Sequence, residues 1–279
     1  MSPLTEIRHV ATRELTKSFR SAKGIVLLVL SLLGGTGATL LIVKAQQLKR
    51  EKLAALDPSH LKDLREEAAT QIFGDPATGK SLAEAPEVLI AVLLLTVWLT
   101  PLVISLLAFD SVSGDMQHKA VRYWTLRTRR SSYFIGKWAG VFASVSALTF
   151  AMHAIIWILC IVRGEAAAGT ALGWGLRFWL VTLPISAVWC GLSTFVSSLF
   201  KSPIISLLVT FASFFVLWLL WMIGQVTHAD ALMYVYPNFY DALLVHPQIN
   251  KAMTGLAACL GMVGLYVGAG SFLFMKRDV

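Results

Sequence analysis

Apolar and polar positions divide the chain into long uncharged runs separated by shorter charged pieces. The runs are Gly24–Val43, Val88–Phe109, Trp138–Val162, Phe178–Phe200, Pro203–Val226 and Ala252–Met275, each of 20 to 25 residues. Each matches the ~20 residues that an α-helix needs to cross a ~30 Å hydrocarbon layer. Open strands would leave backbone groups unpaired in lipid, and a closed barrel would show ~10-residue alternating segments instead. The pattern therefore predicts an all-α polytopic membrane protein with six transmembrane helices. Ahead of the first run, Leu4, Ile7, Ala11, Leu15, Phe19 and Ala22 recur at helical spacing, with Arg8, Arg13, Lys17 and Arg20 between them. This spacing predicts an N-terminal amphipathic helix within residues 1–23, lying in the membrane interface.

The connections differ in character. Residues 44–87 carry charges of both signs and read as two helices meeting at Asp57-Pro58, with Ser59 capping the second, in a hairpin on the outer side. Residues 227–251 hold Met233, Tyr234, Tyr236, Phe239, Tyr240 and Leu243, too apolar for a solvated loop. A partly re-entrant or interfacial turn, broken at Pro237, is expected there.

Composition narrows the function. The chain is 56% hydrophobic and 14% charged, with mean hydropathy +0.68, where a soluble domain carries roughly a quarter charged residues. The longest piece between spans, residues 44–87, falls short of the ~50 residues of the smallest self-standing domains, so no separate catalytic domain fits among the spans. The net charge of +8 reflects topology. The termini, residues 110–137 and the Lys201-Ser202 turn would share one side and hold basic residues at about twice the density of the other side, which predicts that both termini are cytoplasmic. Nucleic-acid binding is not expected, because the basic residues are dispersed and no reader motif is present.

Candidate chemistry is sparse. Gly74-Asp75-Pro76-Ala77-Thr78-Gly79-Lys80-Ser81 fits the phosphate-loop pattern letter for letter, but no strand precedes it, so it is expected to be a coincidental turn. No G-x-S-x-G elbow, H-E-x-x-H pair or intramembrane aspartate pair occurs, and no catalytic, metal or cofactor residue is assigned. Cys160, Cys190 and Cys259 lie inside spans without paired spacing. His153 is the one deep ionisable group, expected to bond a neighbouring helix, and Arg177 is expected to snorkel to the headgroups. Ala257, Gly261, Gly264 and Gly268 line one side of the last span and serve either packing within the subunit or a dimer contact. Phe214, Phe215, Trp218 and Trp221 crowd the fifth span and are candidates for lining an apolar substrate path.

The most informative piece is the loop at 110–137. It carries Asp110, Ser111, Gly114 and Asp115, then Lys119, Arg122-Tyr123-Trp124-Thr125-Leu126-Arg127-Thr128-Arg129-Arg130, and Gly136-Lys137. The buried-type residues Val121, Trp124 and Leu126 between the charges suit docking as well as anchoring. This loop, the amphipathic first helix, the six spans and the re-entrant element before the last resemble the permease subunit of ABC transporters of the type 2 exporter class. The terminal Met275-Lys276-Arg277-Asp278-Val279 resembles the basic-aspartate ending of that class. Lys119-Ala120 and Thr128 depart from the residues usual there. The resemblance implies a cytoplasmic coupling loop at 110–137, matched here at Asp110, Asp115, Leu126, Arg130 and Gly136-Lys137, and the basic, aromatic character of the loop adds Trp124, Arg127 and Arg129 to the expected coupling residues. The resemblance further implies a separate cytoplasmic ABC ATPase that holds ATP and Mg, and a second permease chain, identical or not, in a bacterial inner membrane. The alternative is an ATP-independent six-span scaffold or membrane-embedded enzyme.

Overall fold

The computed structural model describes residues 2–53 and 58–277, and these residues form helices and turns without a strand. Helix α1 (Pro3–Arg20) opens at Ser2, whose hydroxyl accepts from the Thr5 N–H, with Pro3 at the first helical position. Helix α2 (Ala22–Leu53) carries the first span well beyond its apolar run. Then come α3 (Pro58–Phe73), α4 (Pro76–Leu82), α5 (Glu87–Ala108), and the short α6 (Ser113–Gln117) and α7 (Ala120–Thr125). The remaining helices are α8 (Arg130–Val162), α9 (Ala168–Leu199), α10 (Pro203–Thr227), α11 (Asp230–Met233), α12 (Asp241–Val245) and α13 (Ile249–Lys276).

Six of these, α2, α5, α8, α9, α10 and α13, are long and apolar enough to cross a membrane. The fold is an all-α integral membrane bundle. Helix α9 is its centre, buried over most of its length against α5, α8 and α13, whereas α2 and α10 are largely exposed on its periphery. Helix α8 begins eight residues before the third apolar run, so residues 130–137 are helical and not loop. Helix α3 starts at Pro58, which puts Ser59 inside the first turn and not ahead of it. The cap position expected at the Asp57-Pro58 junction lies outside the described residues.

The segment before α13 folds into the bundle. After α11 a 3-10 turn over Pro237–Tyr240 buries Tyr236, Asn238 and Tyr240. Asn238 accepts from the Trp189 indole N–H at 2.8 Å and donates to the Val97 carbonyl at 3.0 Å. Val97 lies ten residues along α5, about 15 Å at 1.5 Å per residue, so the turn penetrates well below the bundle's end. Arg177 donates to the Val245 carbonyl at 2.9 Å and stacks on Trp174, which ties α9 to this turn instead of reaching for headgroups.

At the same end the phosphate-loop look-alike is helix α4. Asp75 is its N-cap, accepting from the Thr78 N–H at 2.8 Å, and Gly79 packs on α3, where a Cβ would meet the Glu66 carbonyl and the Thr70 side chain. With its amides spent in a helix and its central glycine against another helix, this segment has no cradle for phosphate.

Candidate functional site

The opposite end, which carries α1 and the C-terminus, is a joint built around Lys137. Helix α1 lies along the start of α8, and two glycines one turn apart allow the contact. A Cβ at Gly136 would meet Val10 at 2.7 Å and the Ile7 carbonyl at 3.0 Å; one at Gly140 would meet Glu14 Cβ at 2.6 Å and the Ala11 carbonyl at 2.8 Å. The spacing is a G-x-x-x-G, the pattern that lets helix backbones approach closely.

The face that α1 buries here is not its apolar stripe. Glu6, Val10, Glu14 and Ser18, spaced four apart, point into the protein, whereas Leu4 is exposed and Ile7, Ala11, Leu15 and Phe19 are half-buried about 100° round the helix. The apolar stripe is only partly covered, and the stripe that carries Glu6 and Glu14 serves the joint. Lys137 Nζ stands 2.6 Å from Glu14 Oε2 and 2.7 Å from Asp115 Oδ2, all three side chains largely buried. The Tyr133 hydroxyl donates to the same Asp115 oxygen at 2.8 Å. Asp110 pairs with Lys23 at the head of α2 and lies 4.0 Å from Lys17. Glu6 accepts the Arg129 backbone N–H at 3.1 Å, and that bond holds its carboxyl below the usual carboxylate range. One ammonium thus joins α1, the α5–α8 loop and α8.

The other loop residues divide by environment. Arg130 donates to the carbonyls of Met275 at 3.0 Å and Arg277 at 2.8 Å, and Arg277 in turn donates to the Ser198 carbonyl, so the C-terminal segment is stapled into the joint. Trp124 is half-buried, with the Arg13 guanidinium 4.4 Å from its ring and Tyr133 beside it, and Tyr133 stacks on Phe274. These rings extend a small apolar core of Val10, Val112, Met116, Val121, Phe134 and Phe274. Val121 is fully buried, but Leu126 is 86% exposed, against the buried character its sequence suggests, and Arg127 lies over the exposed Tyr123 ring. Of the eight residues singled out in the sequence, Asp110, Asp115, Arg130 and Lys137 are spent inside the molecule. Trp124 and Arg129 are its seam, and Leu126 and Arg127 face outward.

Sequence reasoning missed Glu6, Glu14 and Ser197. The first two stand at positions 6 and 14 of a stripe whose polarity hides its role. Ser197, on α9, accepts from the Val112 and Ser113 N–H groups, each at 3.1 Å, and donates to the Phe109 carbonyl at 2.8 Å, which fixes the turn into α6. The Gly136/Gly140 spacing was a readable signal.

The four aromatic residues of α10 stand in different surroundings. Phe214 is buried 4.5 Å from the Trp189 ring, and Trp221 leans on Tyr236 at 5.7 Å. Phe215 is exposed on the outside of the bundle and meets Trp218 at 5.7 Å. An apolar groove of about 360 Å³ lies elsewhere, between α2, α5 and α8, and is lined by none of the four. Buried His153 places Nδ1 2.9 Å from the Thr149 carbonyl of its own helix and Nε2 3.5 Å from Thr96 on α5. Gly261, Gly264 and Gly268 have open space where a Cβ would stand, so this stripe does not pack within the chain; Gly255 and Gly270 do.

These built features are joints between helices inside a membrane bundle, which defines an integral membrane protein. A sequence profile described as ABC-2 family transporter protein matches residues 8–279, and the chain belongs to the ABC-2 family of transporter proteins. Among curated proteins, none matches it. It is therefore a membrane protein of transport.

Proposed function

We propose that the chain is the permease subunit of an ATP-driven exporter, pairing with a second permease chain and seated on a separate cytoplasmic ATPase that holds ATP and Mg. The observation that carries this reading is the joint centred on Lys137. A force applied to the α5–α8 loop is passed through the buried Asp115–Lys137–Glu14 pairs to α1 and α8, through Asp110–Lys23 to α2, and through the hydrogen bonds of Arg130 to the C-terminal segment, so the loop moves these elements together. The outward residues Tyr123, Leu126 and Arg127 are the surface available to an ATPase groove, and the inward residues convey the motion. ATP-dependent closure of the ATPases then biases a conformational equilibrium of the spans, with no covalent step on this chain. The open Gly261/Gly264/Gly268 side of α13 suits the second permease chain. The α1 end faces the cytoplasm and the α3–α4 end the outside, in a bacterial inner membrane.

The test is co-purification with the ATPase and turnover of the complex for Leu126→Asp with Arg127→Ala. Both residues are outside the joint, so folding and membrane insertion are expected to persist while partner binding falls at least tenfold. Full binding and turnover in this variant would refute the docking surface. Sidedness is read separately by single cysteines at Lys62 and His118, since the native cysteines are all buried. An impermeant reagent should label intact cells at position 62 only.

A further inference from the structure

Among the described residues, Glu6, Glu14, Asp110 and Asp115 are consumed by the joint at the α1 end. Glu14 and Asp115 hold Lys137, Asp110 holds Lys23, and Glu6 takes a backbone N–H. Beside the joint, Lys119, Arg122 and Lys201 are exposed, and none has a carboxylate within ion-pair distance among the described residues. These three cations line one concavity of about 540 Å³ between the α6–α7 turn and the α9–α10 turn, floored by Met116 and Val121 and completed by Gln117 and Ser202. The α6–α7 turn is fixed in shape, because Lys119 adopts a left-handed backbone conformation, φ 57°, and its N–H bonds the Met116 carbonyl. Three like charges converging without an acid repel one another, and an anion between them relieves that repulsion.

The source of the anion is indicated by what adjoins the pocket. Lys201 and Ser202 lead directly into α10, whose first two turns present Ile204, Ile205 and Leu208 to the outside, at 70%, 48% and 63% exposure. That surface belongs against alkyl chains, and a chain lying on it brings its own headgroup to the level of Lys201. We propose that Lys119, Arg122 and Lys201 bind the phosphate group of an anionic membrane lipid whose alkyl chains lie on the outward face of α10. The site holds α6 and α7 to the α9–α10 turn from the lipid side, as Ser197 does from within. It is independent of the ATPase docking surface and uses none of its residues.

The full-length protein in mild detergent is analysed by native mass spectrometry with phosphatidylglycerol, with phosphatidylcholine of the same acyl chains, and with inorganic phosphate as competitor. Phosphatidylglycerol should be retained at least about tenfold better than phosphatidylcholine, and the K119Q/R122Q/K201Q variant should lose that preference. Lys80→Gln, an exposed cation at the other end of the bundle, should keep it. Equal retention of the two lipids, or an unchanged preference in the triple variant, overturns the proposal. Binding of inorganic phosphate without lipid preference assigns the pocket to a soluble anion and likewise overturns it. A triple variant that keeps the lipid but loses the ATPase makes the pocket a protein seat and overturns it too.

Discussion

The two ends of the bundle are held by different physics. At the α1 end, the side chains of Lys137 and Glu14 are each 5% exposed and form a dry ion pair. At the α3–α4 end, partly exposed Asp75 faces the buried His246 at 3.1 Å and the half-exposed Lys251 at 3.2 Å, and Arg65 pairs with Glu87, both partly exposed. Breaking a buried pair strands a charge in low dielectric and costs ~3–5 kcal/mol, whereas an exposed pair is worth ~0–1 kcal/mol. Removing Lys137 is therefore expected to cost more than removing one partner of the exposed pairs at the α3–α4 end.

The comparison breaks first at Lys137. Lys137→Met removes the one buried cation between Glu14 and Asp115 and leaves Glu14 only the partly exposed Lys17, 3.8 Å away, so a loss of ~3–5 kcal/mol is expected, read as a lowered unfolding midpoint in detergent. Trypsin should also cut α1 at Arg13 and Lys17 much faster. A midpoint equal to that of the unaltered protein would show that the buried ion pairs do not hold the joint.

Next come the glycines. Gly140→Leu forces α1 off α8, because its Cβ alone already stands within 3 Å of Glu14 and the Ala11 carbonyl, and should cost ~1–3 kcal/mol. Gly264→Ala, in open space on α13, should leave the isolated chain as stable as before. Equal effects of the two would show that close approach is not what Gly140 provides.

The buried turn before α13 is expected to rank third. Asn238→Leu strands the Trp189 N–H and the Val97 carbonyl inside the bundle, at ~1–3 kcal/mol. Its effect should appear as faster hydrogen exchange in residues 228–248, with α1 unaffected.

What was legible in the sequence follows from the same contrast. Lipid imposes a length and a polarity, so each apolar run sits within or nearly coincides with one long helix, and the aromatic excess before α13 disclosed a buried turn. Helix α8 runs back to Arg130 because charges there are neutralised within the protein, and an uncharged run marks where lipid begins, not where a helix does. The joint was hidden because Glu14 and Lys137 are 123 residues apart, and an acid four residues from an apolar neighbour looks the same whether it meets water or a lysine. The spacing along α1 does disclose an amphipathic helix, yet its apolar side is not the one the protein buries. Asn238 offers no periodic signal at all.

The smallest effect belongs to Asp75, and it carries a sign in pH. The Thr78 N–H, then Lys251, hold its carboxyl down at about 2, below the ~3.9 of an unfolded aspartate. A depressed carboxyl stabilises the folded state fully above the unfolded value, and that contribution is lost as pH falls from about 4 toward 2. Because the side chain is 27% exposed, the ion-pair share is screened and the cap share dominates, at about 1 kcal/mol. Asp75→Ala should remove both shares and speed exchange in α4 at neutral pH, while Asp75→Ser keeps the cap and should recover most of the protection. Acidification of the unaltered protein toward pH 3 should then loosen α4 ahead of the dry joint at the far end. Should Asp75→Ser exchange as fast as Asp75→Ala, the ion pairs and not the cap hold this end, and the weak latch is electrostatic after all.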